Sequence, residues 1–262
     1  MTVSVLIPAY NAAATLGETL AALAAQTRRA DEILVCDDGS ADATAAVAED
    51  FPGVRVLRQA NAGVSAARNA LLAAATGEIV MFCDADDRPH ADWIAVLAGR
   101  LEETGADVSL AGVCAGADLS ERRYVCPCTE ESVIDGRTFF RHELVRPKGT
   151  YAYLHACAFR RALAERTPAL RLPVGLKFQE DEVLMLGLAR RANRVAVSPR
   201  CLYDYIFRPT SICATCLRGN RNGRGNRRQY YLRDLAKFRV SGRLRFAVKA
   251  LGHLVRSRGG AT

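Results

Sequence analysis

No apolar run in this chain approaches the ~18 residues needed to cross a bilayer, although half of its residues are hydrophobic. The first residues, Met1-Thr2-Val3-Ser4-Val5, lack the basic stretch that opens a signal peptide and read as a strand of a cytoplasmic protein. Three glycine signatures are also missing. No G-x-G-x-x-G follows the first predicted strand, no G-x-x-x-x-G-K-[ST] occurs, and there is no G-x-S-x-G elbow. Dinucleotide binding, P-loop chemistry and the α/β-hydrolase nucleophile are thereby set aside. The nine cysteines lack a zinc framework. Cys213-Ala214-Thr215-Cys216 has no second C-x-x-C, and Cys126-Pro127-Cys128 is too tight for a zinc knuckle. Cys36 and Cys83 end apolar runs and read as small buried hydrophobes. The thiols are expected to be reduced.

Acidic residues are almost missing from one end of the chain. Over 262 residues, 36 Lys and Arg against 28 Asp and Glu give a net charge of +8. From Leu217 to Thr262, however, 13 basic residues face the single acid Asp234, while the first 216 residues carry 23 basic against 27 acidic. An acidic body with a basic tail is a different object from a uniformly basic nucleic-acid binder. On a helix, Leu244, Ala247, Val248, Leu251, Leu254 and Val255 share one face, and Arg245, Lys249 and Arg256 share another. Such a helix can lie on anionic lipid, each basic residue adding about 1 kcal/mol. The competing reading packs its apolar face on the body and leaves the arginines solvated. The tail lacks a recognition motif and the aromatic interleaving of nucleic-acid binders, apart from Tyr230-Tyr231, so no nucleic-acid partner is expected.

The first hundred residues alternate strands and helices. Strands are predicted at Val3–Pro8, Glu32–Cys36, Val54–Leu57 and Ile79–Cys83, and helices at Ala12–Gln26, Ala41–Asp50, Ala62–Ala75 and Asp92–Thr104. The third helix is expected to stop at a left-handed Gly77. This order implies an α/β fold with a parallel sheet covered on both faces. Further on, Val108–Val113 reads as a strand, Asp135–Leu144, Ala156–Arg166 and Asp181–Ala192 as helices, and Val195–Tyr205 as strand-like pieces. A Gly-, Asn- and Arg-rich loop over Cys213–Arg228 precedes helical residues to Arg258.

Polar residues collect where three of these strands end: Pro8-Ala9-Tyr10-Asn11, Asp37-Asp38-Gly39-Ser40 and Asp84-Ala85-Asp86-Asp87. In open parallel sheets the ligand crevice lies at those ends. Five carboxylates in a small volume repel one another unless a cation joins them. Mg²⁺ or Mn²⁺ suits carboxylates together with phosphate oxygens. Asp42 and Asp87 read as helix caps or solvated loop residues; Asp38 and Asp86 do not.

Val3 to Asn11, Asp37 to Asp42, Asn61-Ala62-Gly63-Val64-Ser65-Ala66-Ala67-Arg68-Asn69 and Phe82 to Asp87 together resemble glycosyltransferase family 2. The resemblance implies the A-type glycosyltransferase fold, Rossmann-like and mostly parallel, with a helical extension at the C-terminus. It divides the chain into a catalytic domain over 1–212 and a basic tail over 213–262. Within the domain, 1–104 would bind nucleotide and 105–212 acceptor. Pro8, Ala9 and Tyr10 would line the base pocket, with Tyr10 stacking on the base. Asp38 would accept the uracil N3–H, favouring a UDP-sugar donor, and Arg68 would lie near base or diphosphate. Asp84, Ala85 and Asp86 match the family's D-x-D motif, with Asp86 on Mn²⁺ or Mg²⁺. Asp181, beside Glu180, matches the base that deprotonates an acceptor hydroxyl. Arg208 and Ser211 would reach the diphosphate. His155 could touch acceptor or phosphate but reads first as structural, as do His90, His142 and His253.

The implied reaction is one in-line, inverting displacement at the anomeric carbon. Its acceptor would be a glycan or lipid-linked sugar of a bacterial surface polysaccharide, met at the inner face of the membrane. Two other readings are a non-catalytic scaffold of the same fold and a nucleotidyltransferase. The combination of Asp38, Asp84, Asp86 and Asp181 counts against the first. The lack of a Gly-rich basic loop after the first strand counts against the second.

Overall fold

The computed structural model describes residues 1–116, 123–126, 128–145, 153–166, 169–175 and 180–206. The first four strands, β1 (Val3–Ala9), β2 (Glu32–Asp37), β3 (Val54–Arg58) and β4 (Ile79–Phe82), are parallel in the order β3-β2-β1-β4. Helices α1 (Leu16–Ala24), α2 (Thr44–Glu49), α3 (Val64–Ala74) and α4 (Trp93–Thr104) connect or follow them. The pleat of β1 explains how both faces are covered. Val3, Val5 and Ile7 pack with Leu16, Leu20 and Leu23 of α1 and with Trp93 and Leu97 of α4. Leu6 points the other way, toward Ala67 and Leu71 of α3. Each fully buried Leu or Ile contributes about 1.5–3 kcal/mol, so the two layers carry this half of the fold.

The sheet continues through β9 (Cys157–Arg160), β6 (Val108–Gly116), β10 (Arg194–Ile206) and the short β5 (Arg88–Pro89). β6 and β10 are parallel, while β9 runs antiparallel between β4 and β6. β7 (Arg123–Val125) adds to β6 and β8 (Ser132–Asp135) to β10. Helix α5 (Gly136–Val145), the short α6 (Arg161–Glu165) and α7 (Glu180–Arg191) complete the second half. Phe139, Leu163, Leu184, Met185 and Leu188 from these helices join the core on the α3 side.

Three expectations are corrected. Residues 156–166 are not one helix: a 3-10 turn at Leu154–Ala156 leads into β9 and then α6. Cys157-Ala158-Phe159 is fully buried between two strands, and that tertiary pairing overrides local helix propensity. Gly77 does not take a left-handed conformation. It is required because a Cβ there would lie 2.5 Å from Ser4 Oγ, the acceptor of its own N–H. The left-handed helix stop is Gly105, at φ 66° after α4. Finally, not every thiol is free, since Cys114 and Cys201 are paired as a disulfide between β6 and β10.

Candidate active site

The loop after β1 turns at Asn11, whose φ of 49° is tolerated by a short polar side chain. Asn11 locks onto the loop after β2: its N–H donates to Ser40 Oγ at 2.9 Å and its Oδ1 accepts the Ala41 N–H at 2.9 Å. Pro8 and Ala9 are buried, while the Tyr10 ring is 54% exposed beside them. Gly39 sits at φ 73°, and a Cβ there would come within 2.7 Å of the Asn61 nitrogen.

Asp38 is buried and already engaged. Oδ1 accepts Gln59 Nε2 at 2.6 Å and the Ala62 N–H at 2.9 Å, and Oδ2 accepts the Gly63 N–H at 2.8 Å. A carboxylate offers about four lone-pair sites, so this side chain organises the entry to α3 and retains capacity for a further donor.

The loop after β4 is held differently. Thr15, just before α1, and Thr19 within it donate to the Ala85 and Asp87 carbonyls, both at 2.9 Å. The Tyr203 hydroxyl of β10 accepts the Asp84 N–H at 3.0 Å and contacts Cys83 Sγ at 3.4 Å. Ala85 is buried, facing the core. Asp87 corrects the sequence reading: it is only 3% exposed, so it is neither solvated nor a helix cap. Its Oδ1 accepts the Ile206 N–H at 3.0 Å, and Oδ2 is buried with no hydrogen-bond partner among the described residues. Burial, then the charges of Asp84 and Asp86, push its carboxyl well above the ordinary range.

Arg68 of α3 joins the two halves of the sheet. The buried guanidinium donates from Nη2 to Asp84 Oδ1 at 2.9 Å and from Nη1 to Glu180 Oε1 at 2.6 Å. Burial alone would raise the Asp84 carboxyl, yet Arg68 and then His155 hold it below its ordinary value. Glu180 is raised, because burial outweighs the attraction of Arg68 and Asp181 repels it. Asp181 opens the same helix, its Oδ1 accepting the Glu182 N–H at 3.0 Å.

His155 completes the group. Its ring stacks on Tyr203 at a centroid distance of 4.4 Å, and on Tyr153 and Tyr205 at 5.2 Å each. Nδ1 lies 3.9 Å from Asp84 Oδ2, and the buried Nε2 has no hydrogen-bond partner among the described residues. Burial lowers its pKa to about 4, so the ring is neutral near pH 7, the form that ligates metals. Ligand atoms of Asp84, Asp87 and His155 lie within 4.8 Å of one another. Asp86, the expected metal ligand, is half-buried and falls outside this trio.

The structure therefore brings Asp84, Arg68, Glu180 and His155 together, with Asp87 behind them. Arg68 meets carboxylates on both sides. Tyr203 lies in the strand-like stretch predicted over Val195–Tyr205, where nothing local distinguishes it from Tyr205. Arg208 and Ser211 lie outside the described residues, as do the C-x-x-C pair and the basic tail.

The sequence model of glycosyl transferase family 2 matches residues 4–167. The chain belongs to this family. Among curated relatives it is 31% identical over 217 residues to the uncharacterized glycosyltransferase EpsJ of Bacillus subtilis, covering 80% of this chain and 62% of that one. It is 29% identical over 222 residues to the succinoglycan biosynthesis protein ExoO of Rhizobium meliloti, covering 80% and 62%. The chain thus spans less than two thirds of these relatives. Among solved structures, S. aureus TarS 1–349 superposes with a TM-score of 0.63 at 26% identity, over 79% of this chain and 60% of that one. The mannosyltransferase PcManGT of Pyrobaculum calidifontis, solved with GDP-Man and Mn²⁺, gives 0.61 at 21% identity, over 95% and 68%. The family's A-type glycosyltransferase fold is the one described above.

Proposed function

We propose that the chain transfers a sugar, with inversion, from a UDP-sugar to a hydroxyl of a glycan or lipid-linked acceptor. The observation that carries this is the Arg68 bridge. It ties Asp84, on the nucleotide half (1–104), to Glu180, on the acceptor half (105–212), at the carboxyl end of the parallel sheet. One site then serves two substrates. A UDP donor draws support from TarS, 25% identical at a TM-score of 0.67 and solved in complex with UDP. A polysaccharide acceptor draws support from the relative named for succinoglycan biosynthesis.

Asp84, Asp87 and His155 fit a divalent cation. Their chemistry is two carboxylates and a neutral imidazole, with the Asp87 Oδ2 and His155 Nε2 atoms buried and without a hydrogen-bond partner among the described residues. Carboxylates accept Mg²⁺ or Mn²⁺, and an imidazole nitrogen in the set favours a transition metal over Mg²⁺. Asp86, on the same loop, is proposed to join them when donor is bound. Such a cation would neutralise charge developing on the departing diphosphate. The chain's own residues do the rest. Tyr10 offers an exposed face to the base, Asp38 presents its remaining lone pair to it, and Arg68 holds Glu180 in place. Asp181, in the first turn of α7, takes the acceptor proton. Arg208 and Ser211 are proposed to reach the diphosphate, and the basic tail to lie on anionic lipid. Among the described residues no helix is long and apolar enough to cross a membrane.

A panel of UDP- and GDP-sugars tests the donor by thermal shift and hydrolysis, with and without Mn²⁺. Metal-dependent stabilisation by a UDP species is expected; no response to any UDP species refutes that donor. Asp181→Asn is expected to abolish transfer and retain UDP binding, and retained transfer removes Asp181 from its role. Loss of flotation with anionic vesicles after truncation at Gly242 checks the tail.

A further inference from the structure

A second group of metal-binding side chains, His90 near β5 with Cys201 and Asp204 of β10, is separate from Asp84, Asp87 and His155. A bulge creates it. Cys201 pairs with Gly112 and Tyr203 with Val113, so Leu202 is the extra residue on β10. The slip turns Cys201 and Asp204, three residues apart, toward one face of the strand. Asp204 stands directly opposite Cys114 of β6, and the Cys114 sulfur is bonded to that of Cys201. His90, just beyond β5, is fixed by its backbone N–H to the Leu202 carbonyl at 2.9 Å, and its Nε2 lies 3.0 Å from Asp204 Oδ1. Ligand atoms of His90, Cys201 and Asp204 all lie within 4.8 Å of one another. Asp204 is 7% exposed at its side chain and His90 31%, which leaves a path from solvent.

We infer that His90, Cys114, Cys201 and Asp204 form a zinc site that exists only when the Cys114–Cys201 disulfide is reduced. Two thiolates, an imidazole and a carboxylate make a four-ligand set suited to tetrahedral Zn²⁺. Zinc–ligand bonds of about 2.0–2.3 Å require the donors to close in by about 1 Å. A two-electron donor such as a cellular dithiol supplies two electrons and two protons, converting the disulfide to two thiols and becoming a disulfide itself. Zinc then takes both sulfurs as thiolates and releases those protons. Disulfide and zinc exclude each other because they use the same two sulfur atoms. Either state links β6 to β10, but only zinc also captures His90, three residues beyond the acidic loop.

The experiment compares zinc stoichiometry of the oxidised and phosphine-reduced full chain by native mass spectrometry and chelator competition. A Cys213→Ser/Cys216→Ser background removes the C-x-x-C pair. The reduced protein is expected to hold one more Zn²⁺ than the oxidised protein. Cys201→Ser and His90→Gln should each weaken that extra ion at least tenfold. His90→Gln preserves a donor to Asp204, so loss of zinc there is not confused with loss of fold. Cobalt substitution should give sulfur charge-transfer absorption that Cys114→Ser roughly halves. Equal zinc in both redox states, or an extra ion that survives Cys201→Ser or His90→Gln, overturns the site. Absorption unchanged by Cys114→Ser overturns the four-ligand set.

Discussion

The loops after β2 and β4 look alike in sequence, Asp37-Asp38-Gly39-Ser40 against Asp84-Ala85-Asp86-Asp87, and are built on opposite principles. In the first, backbone and amide N–H groups surround the key carboxylate: Asp38 accepts three. In the second, a buried guanidinium, an aromatic hydroxyl and a neutral imidazole surround carboxyls that also repel one another. Amide-bound carboxylates are satisfied without a ligand. The β4 loop at Asp87 Oδ2 and the 3-10 turn beside it at His155 Nε2 hold buried polar atoms without a hydrogen-bond partner among the described residues, so this region gains from an added cation. A carboxylate cluster therefore says little until its partners are known.

The largest effect is expected where the β4 loop leans on the Arg68 guanidinium. Arg68→Met should leave the half-buried Asp84 and Glu180 without their guanidinium, costing about 3 kcal/mol. It should also remove detectable transfer. Denaturant melts and a transfer assay check this, and a loss under 1 kcal/mol would mean that water reaches both carboxylates. By contrast, Asp38→Asn in the β2 loop turns one acceptor into a donor facing an N–H. The expected cost is about 1.5–3 kcal/mol, with no change in Mn²⁺ affinity. A fall in metal affinity in Asp38→Asn would erase the distinction between the loops.

Asp87 gives the comparison a sign. Because its pKa is raised in the folded chain, its stabilising contribution is complete below the unfolded value and is lost as pH rises through the folded one. Asp84 is the reverse: its lowered pKa contributes stability above about pH 3.9, lost as pH falls through the folded value. Cation binding must displace the Asp87 proton, so Mn²⁺ affinity should climb by up to about tenfold per pH unit below the Asp87 pKa. Asp87→Asn should flatten that slope, weaken Mn²⁺ binding, and stabilise the metal-free protein by about 1 kcal/mol. Isothermal titration across pH and thermal melts measure both.

The alternating strands and helices of the first half were legible because apolar period and turn residues agree there at every element. Position at the strand ends was enough to nominate Asp38, Asp84 and Asp86. Two kinds of information were not local. β9 read as helix because Cys157-Ala158-Phe159 becomes strand only through pairing with β4 and β6. Asp87 read as a solvated residue because its burial depends on Ile206, about 120 residues away. His155 carries little local signal for the same reason, since its neighbours Tyr203 and Tyr205 arrive on a distant strand.

Tyr203 offers the finest test of how the β4 loop is held. Its hydroxyl accepts the Asp84 N–H, while its ring packs on His155 and, at 5.8 Å, on Trp93. Tyr203→Phe keeps the ring and removes one acceptor, leaving a backbone N–H unsatisfied at the start of the acidic loop. A cost of about 1 kcal/mol in stability is expected. If the hydroxyl also sets the angle of Asp84, Mn²⁺ affinity and KM for the donor should worsen by a few-fold, and the Asp87 carboxyl, which the hydroxyl helps to hold down, should titrate higher still. A change in stability alone would assign the hydroxyl to folding. The orientation of Asp84 would then rest on Arg68, whose guanidinium grips the same side chain.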